Sequence, residues 1–232
     1  MKKLFIFAIA AMFSTGLFAQ EVISLPLSMG PSEKEIKKAE KHDEKVMKQL
    51  FKDNADVNAR IDGNYGPTPL EFAISKGSLE LVTSLVKRGA DVNPKRSDHE
   101  CTPLTYAIDC KQTKIAKYLI DSGADINAEN PHWFGFANPL SVAISDHDEE
   151  IAVYMIEKGV NANSSAGKTG YSGGSVLMFA AQEGLLKVVK SLVEHGADVN
   201  DKGGLWDAKV LVYAKNGGTE VYDYLVSVGA EY

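Results

Sequence analysis

The sequence predicts an all-α solenoid of helix-turn-helix units with protruding hairpin loops, and three observations carry that expectation. First, Gly89-Ala90-Asp91-Val92-Asn93 recurs as Gly123-Ala124-Asp125-Ile126-Asn127 and Gly196-Ala197-Asp198-Val199-Asn200. Weaker copies stand at Asn54–Asn58, Gly159–Asn163 and Gly229–Tyr232, so successive starts lie 35, 34, 36, 37 and 33 residues apart. Second, an in-phase register places Leu70, Leu104, Leu140 and Leu177 each 19 residues before the next glycine of the first motif, and Leu211 18 residues before it. Third, apolar pairs recur between the two motifs at i, i+1, i+4 and i+5, which makes one stripe on a helix of 3.6 residues per turn.

Each element follows from local chemistry. Thr68, Thr102, Asn138 and Ser175 carry a short side-chain oxygen where a first helix needs an N-cap. Pro69, Pro103 and Pro139 follow at the first helical position, where the missing N–H costs nothing. The second helices are read from Leu81/Val82/Leu85/Val86, Ile115/Ala116/Leu119/Ile120, Ile151/Ala152/Met155/Ile156, Val188/Val189/Leu192/Val193 and Val221/Tyr222/Leu225/Val226. Gly89, Gly123, Gly159, Gly196 and Gly229 sit where the chain leaves those helices, a left-handed position that glycine takes cheaply.

These two signatures resemble those of the ankyrin repeat, in which T-P-L-H-x-A and G-A-D-V-N bracket a helix pair at a period of about 33 residues. The resemblance covers about residues 33–232. It departs from the family at the fourth residue of T-P-L-H, which is Glu71, Thr105, Ser141, Met178 and Val212 here. The family's Thr-to-His hydrogen bond is therefore absent, and modest local stability is expected. Lys209 cannot cap its helix; Asp207, two residues earlier, is the candidate substitute.

The expected organisation is a signal peptide at 1–19, a linker at 20–32 and a repeat domain at 33–232. Its units run 33–64, 65–98, 99–132, 133–168, 169–203 and 204–232. The first is an N-terminal cap whose charged stretch "SEKEIKKAEKH" reads as a solvated outer face, with a binding tail as the lesser alternative. Lys2 and Lys3, an apolar run from Leu4 to Phe13 and the ending Leu17-Phe18-Ala19 give the pattern of a secretory signal, cut after Ala19. An uncleaved anchor or a buried terminal helix is the competing reading. We read an exported bacterial protein, periplasmic or secreted, with no membrane span after cleavage.

Charge narrows the partner class. The chain carries a formal charge of −6, and loss of Lys2 and Lys3 would leave −8. No basic excess exists to release counterions from a nucleic acid, so that class of partner is not expected. Cys101 and Cys110 are expected to stay unpaired, because nine helical residues separate their Cα atoms by ~13 Å, beyond the roughly 7 Å that a disulfide spans.

Between the Asn of one unit and the cap of the next lies the hairpin loop, or finger. These spacings are 10, 9, 11, 12 and 9 residues, so the third and fourth fingers are the long ones. Insertions in a solenoid map to loops on one face, often the binding face. The third finger, "AENPHWFGFAN", concentrates Trp133, Phe134 and Phe136, aromatic anchors favoured at interfaces. Folding back onto the first helices as a minicore, or neutral exposure, are the alternatives.

The fourth finger holds Gly167-Lys168-Thr169 five residues after Ala162, a relaxed match to a phosphate-binding loop. Such a loop follows a strand and opens a helix. Here a repeat helix precedes it, and Gly170-Tyr171-Ser172-Gly173-Gly174 follow. The match is read as a pliable finger with Lys168 and Tyr171 at its tip, not as a nucleotide site.

The histidines are scattered. His147 falls within "SDHDEE", at the turn between helices where Gly77 and Gly184 stand in sister units. Those acids offer a weak cation site or, more simply, a favourable helix N-terminus. No paired histidines at ligand spacing and no zinc-type Cys/His set are present.

The resemblance implies a non-catalytic protein-interaction module without cofactors, read here as a monomer that binds through its fingers and concave helix face. The candidate contact residues in or near fingers are Tyr65, Trp133, Phe134, Phe136, Lys168, Tyr171 and Trp206. Lys76, Asp146 and Glu183 join them at the exposed ends of first helices. The competing class is a ligand-binding protein or enzyme using the long fingers at 128–137 and 164–174 as a pocket.

Overall fold

The computed structural model describes residues 41, 45, 55–61, 66–94, 101–129, 138–167, 174–203 and 208–232. Its described residues form ten helices and one two-stranded ladder, an all-α solenoid of helix-turn-helix pairs. The chain divides into two compact units, residues 1–91 and 92–232.

In the first unit, α1 (Pro69–Ser75) and α2 (Leu79–Lys87) pack as an antiparallel pair. Leu70, Phe72, Ile74 and Leu85 are fully buried between them. The second unit holds four such pairs: α3 (Pro103–Asp109) with α4 (Thr113–Asp121), and α5 (Pro139–Ser145) with α6 (Glu149–Glu157). Next come α7 (Val176–Gln182) with α8 (Leu186–Glu194), and α9 (Val210–Gly217) with α10 (Thr219–Ser227). First helices α3, α5, α7 and α9 pack in sequence as one row, and second helices α4, α6, α8 and α10 form the other. Leu104, Ile108, Ile115, Leu119, Leu140, Ile144, Ile151 and Met155 fill the space between the rows.

The caps act as their residue types require. Thr68, Thr102, Asn138 and Ser175 each accept the backbone N–H three residues on. Lys209 provides no side-chain cap, and Asp207 lies outside the described residues. The expectation of weak first helices is corrected at three positions. Glu71 Oε2 accepts from Thr68 N at 2.7 Å, Thr105 and Thr102 hydroxyls meet at 3.0 Å, and Ser141 Oγ donates to Asn138 O at 2.7 Å. A carboxylate or hydroxyl at that fourth position thus returns a bond to the cap, where the family uses histidine.

The turn inside each pair needs a left-handed residue. Gly77 and Gly184 supply it at φ 65 and 72, while Lys111 and His147 adopt it at φ 56 and 55. A side chain there costs about 1–2 kcal/mol, so those two turns hold strain that the packed pairs around them sustain.

The last residue of each G-A-D-V-N motif ties its loop to the next. Asn93 Nδ2 donates to Gly123 O at 2.8 Å while its Oδ1 accepts from Asp125 N at 2.8 Å. Asn163 does the same with Gly196 and Asp198, as does Asn200 with Gly229 and Glu231. Within the first unit Asn58 straps Gly89 and Asp91 in the same way. A side chain offering a donor and an acceptor side by side satisfies both backbone groups, which accounts for asparagine at this position.

Candidate functional site

Fingers emerge where backbone pairing closes a stem, and three stems fall within the described residues. In the first, Ile61 N donates to Pro67 O at 2.9 Å and the Arg60 guanidinium to Gly66 O at 2.9 Å. In the fourth, Ser165 pairs antiparallel with Ser175, Ala166 N donates to Gly174 O at 2.9 Å, and Val176 N to Ser164 O at 3.0 Å. In the fifth, β1 (Lys202–Gly203) pairs antiparallel with β2 (Ala208–Lys209). Tyr65, Lys168, Tyr171 and Trp206 fall in sequence between the two sides of these stems. Those four, together with Trp133, Phe134 and Phe136, lie outside the described residues.

The fourth stem bears on the phosphate-loop match. Gly167 has φ 94, and its N–H donates to Ser165 Oγ at 3.1 Å inside a hairpin. Helix α6 precedes the segment, and the next described helix, α7, opens only at Val176. Among the described residues, Gly167 thus sits in a hairpin stem and not at the N-terminus of a helix, where amides would be aimed at a phosphate. A shallow cleft lies beside the stem, lined by Ala166, Gly167, Gly174, Met178, Phe179 and Tyr213.

Lys76, Asp146 and Glu183 share one register: each is the C-cap of a first helix, in α1, α5 and α7. Cys110 holds that register in α3. Lys76 is exposed with its ammonium 5.1 Å from the Phe72 ring centroid. Asp146 Oδ1 lies 3.8 Å from Lys111 Nζ, and Glu183 Oε2 lies 3.5 Å from His147 Nε2. The second unit thus brings Asp146 and Glu183 onto adjacent turns, joined through the Lys111 and His147 residues that also hold the strained turn positions.

This edge is electrostatically uneven. Asp146 Oδ2 is buried without a hydrogen-bond partner. Burial pushes the Asp146 carboxyl above its ordinary range, against the pull of Lys111. Asp109 is raised too, by burial and then by the Asp146 charge. A carboxylate whose folded pKa is raised costs stability once ionised. The cost is present at neutral pH and relieved as pH falls through the raised value.

Neighbouring candidates have structural employment. Asp148 Oδ1 caps α6 through Ile151 N at 3.2 Å, and its Oδ2 accepts from Thr113 Oγ1 at 2.7 Å. Glu149 and Glu150 pair with Lys187 and Lys117 at 3.5 and 2.9 Å. These are helix N-terminus roles, and among the described residues no group of three or more His, Cys, Asp or Glu side chains is arranged to hold a metal ion. His195 Nδ1 lies 2.8 Å from Ser191 O at the end of α8. Neither Cys101 nor Cys110 forms a disulfide, and the Cys110 thiol is pushed up to about 11 by burial and then by Asp109. So high a pKa leaves little thiolate at neutral pH, and with it little nucleophilic reactivity. On the outer row, Tyr154 donates to Asp121 at 2.7 Å and stacks between Lys117 and Lys158, a seam joining α4 to α6.

The described residues contain no helix long and apolar enough to cross a membrane. No curated protein matches the chain. The family model described as "Ankyrin repeats (3 copies)" matches residues 36–130 and 134–203, which include the helix pairs from α1–α2 to α7–α8. On that match, and on the helix pairs described within it, the chain belongs to the ankyrin repeat family.

Proposed function

We propose that this protein is an exported, non-catalytic recognition module that binds a protein partner, as a monomer, through its fingers and the C-terminal ends of its first helices. Ankyrin repeats generally mediate protein–protein interaction, and a solenoid offers an extended surface for it. The observation that carries the reading is the closure of finger stems by backbone pairing on a row of packed helices. Loops mounted on a rigid scaffold are where binding residues concentrate. Export rests on the Lys2-Lys3, apolar-run and Ala19 pattern, and places the partner in the periplasm or outside the cell.

The test is affinity capture from a bacterial envelope fraction, run in parallel with Trp133→Ala and Phe134→Ala variants of the mature chain. The expected result is one saturable partner retained by the parent and lost, by tenfold or more in apparent affinity, from the finger variants. This is the scale of an aromatic hot spot of about 2 kcal/mol. An identical set of captured proteins from all three chains would overturn the finger reading. Turnover of nucleotide, ester or phosphate substrates that Lys168→Ala abolishes would replace it with the catalytic one.

A further inference from the structure

We infer that Asn138 is a positioning residue that sets the register of the fourth finger. The inference rests on reading the fingers as recognition loops. Three first-helix caps, Thr68, Thr102 and Ser175, carry hydroxyls, while Asn138 alone among the side-chain caps carries an amide. Its Oδ1 does the capping, accepting from Ser141 N at 2.9 Å. That leaves the NH2 group, which no hydroxyl cap possesses. It reaches the base of the fourth finger, donating to Ser165 O at 2.8 Å and to Ser164 Oγ at 3.2 Å.

Ser164 and Ser165 are one side of the fourth stem. Ser164 O accepts from Val176 N, and the following Ala166 N donates to Gly174 O. The finger beyond holds Gly167, Gly170, Gly173 and Gly174 within the longest of the five spacings. A glycine-rich hairpin specifies its own register weakly, since it has few side chains to sort onto two faces. Asn138 supplies that specification from outside. It is buried, at 6% exposure, so its amide protons must find acceptors inside the protein. A stem slipped by one residue would turn the Ser165 carbonyl away and orphan them, at the desolvation cost of a buried amide. One register satisfies both strand and cap. Asn138 is also the last residue of the third finger in sequence, so a single side chain ties the bases of the two long fingers.

Amide hydrogen exchange by NMR on the mature full chain, with no partner present, tests this. Asn138→Thr keeps an oxygen cap of the kind Thr68 and Thr102 provide but lacks the amide donor. The expected result is protection factors at Ala166 and Val176 about tenfold lower, or more, with Ile144 in α5 and Ile156 in α6 changed by less than about threefold. Asn138→Asp also keeps the cap but turns an acceptor toward Ser165 O. Its loss of protection at Ala166 should exceed that of the Thr variant at pH 7. It should fall back toward it below about pH 4, where the protonated acid donates again. Unchanged protection at Ala166 in the Thr variant overturns the inference. So does a loss spread evenly over α5 to α8, which would make Asn138 a general stabiliser. The measurement needs no partner, so its failure is separate from failure of the recognition reading.

Discussion

Replacing Gly217 with alanine is expected to detach the α9–α10 pair from the rest of the solenoid. A Cβ at this position would be driven into the Ala181 carbonyl oxygen and would stand 2.9 Å from Gly184 N. Gly184 faces it reciprocally, since its own Cβ would meet Gly217 O at 2.6 Å. The obstructing atoms are backbone, so relief requires α9 to move away from α7, not a side chain to rotate. Overpacking of this kind costs roughly 1–3 kcal/mol or more. Repeat proteins are held pair by pair through nearest-neighbour interfaces. The loss should therefore appear as early melting of residues 208–232, seen by limited proteolysis or hydrogen exchange, with α5 and α6 still protected. Gly229→Ala is the calibrating variant. Its Cβ meets open space at φ 91, so it carries only left-handed strain of about 1–2 kcal/mol. Equal behaviour of the two variants would mean that the close approach of α7 and α9 is not a constraint on the fold.

Met155→Ala should produce a large loss of stability in the interior of the second unit. Met155 is fully buried in α6, flanked by Ile151, Ala152 and Ile156, and α6 packs against α4 on one side and α8 on the other. Truncation removes transfer energy and leaves a cavity, at roughly 2–5 kcal/mol. Against a total of about 5–15 kcal/mol, that is a large share. A fall in melting temperature on the order of 10 °C is expected by circular dichroism. Val226→Ala, at 47% exposure in α10, should stay within about 0.5 kcal/mol of the parent. Comparable losses from both would contradict the burial pattern.

Much of this architecture is legible in the sequence because it is local. A hydroxyl or amide before proline, an apolar stripe and a glycine after it report on a few neighbouring residues, and each occupies the role its chemistry predicts. Features that depend on the distance between pairs are not legible in this way. The repeated asparagine is visible, but its bonds to a glycine carbonyl and an amide about one unit later are not. The Gly184–Gly217 approach and the Lys111–Asp146 pair arise only once helices stack. The fourth residue of each first-helix motif looked like a loss of capping. Glu71, Thr105 and Ser141 reach back to the cap because a side-chain oxygen within hydrogen-bond reach, not histidine itself, is what the bond requires. Val226 fits the apolar stripe yet is half exposed, since no described helix packs over the far side of α10.

The site was legible to a lesser degree. Finger positions follow from spacing, and Lys76, Asp146 and Glu183 do share a register, which their common offset from the cap foretold. Asn138 was visible only as a cap. The signal for its second role was the amide among three hydroxyls, and its meaning depends on where Ser165 lies in space. The aromatic finger and the tips carrying Lys168, Tyr171 and Trp206 fall outside the described residues, so their contribution rests on sequence.

The most direct test is a hydrogen–deuterium exchange footprint of the mature chain alone and saturated with the captured partner. Recognition through the fingers predicts added protection at 128–137 and 164–174 and at the first-helix ends around Asp146 and Glu183, with the outer α4, α6 and α8 surfaces unchanged. Protection confined to that outer row, with both long fingers exchanging as before, would contradict it.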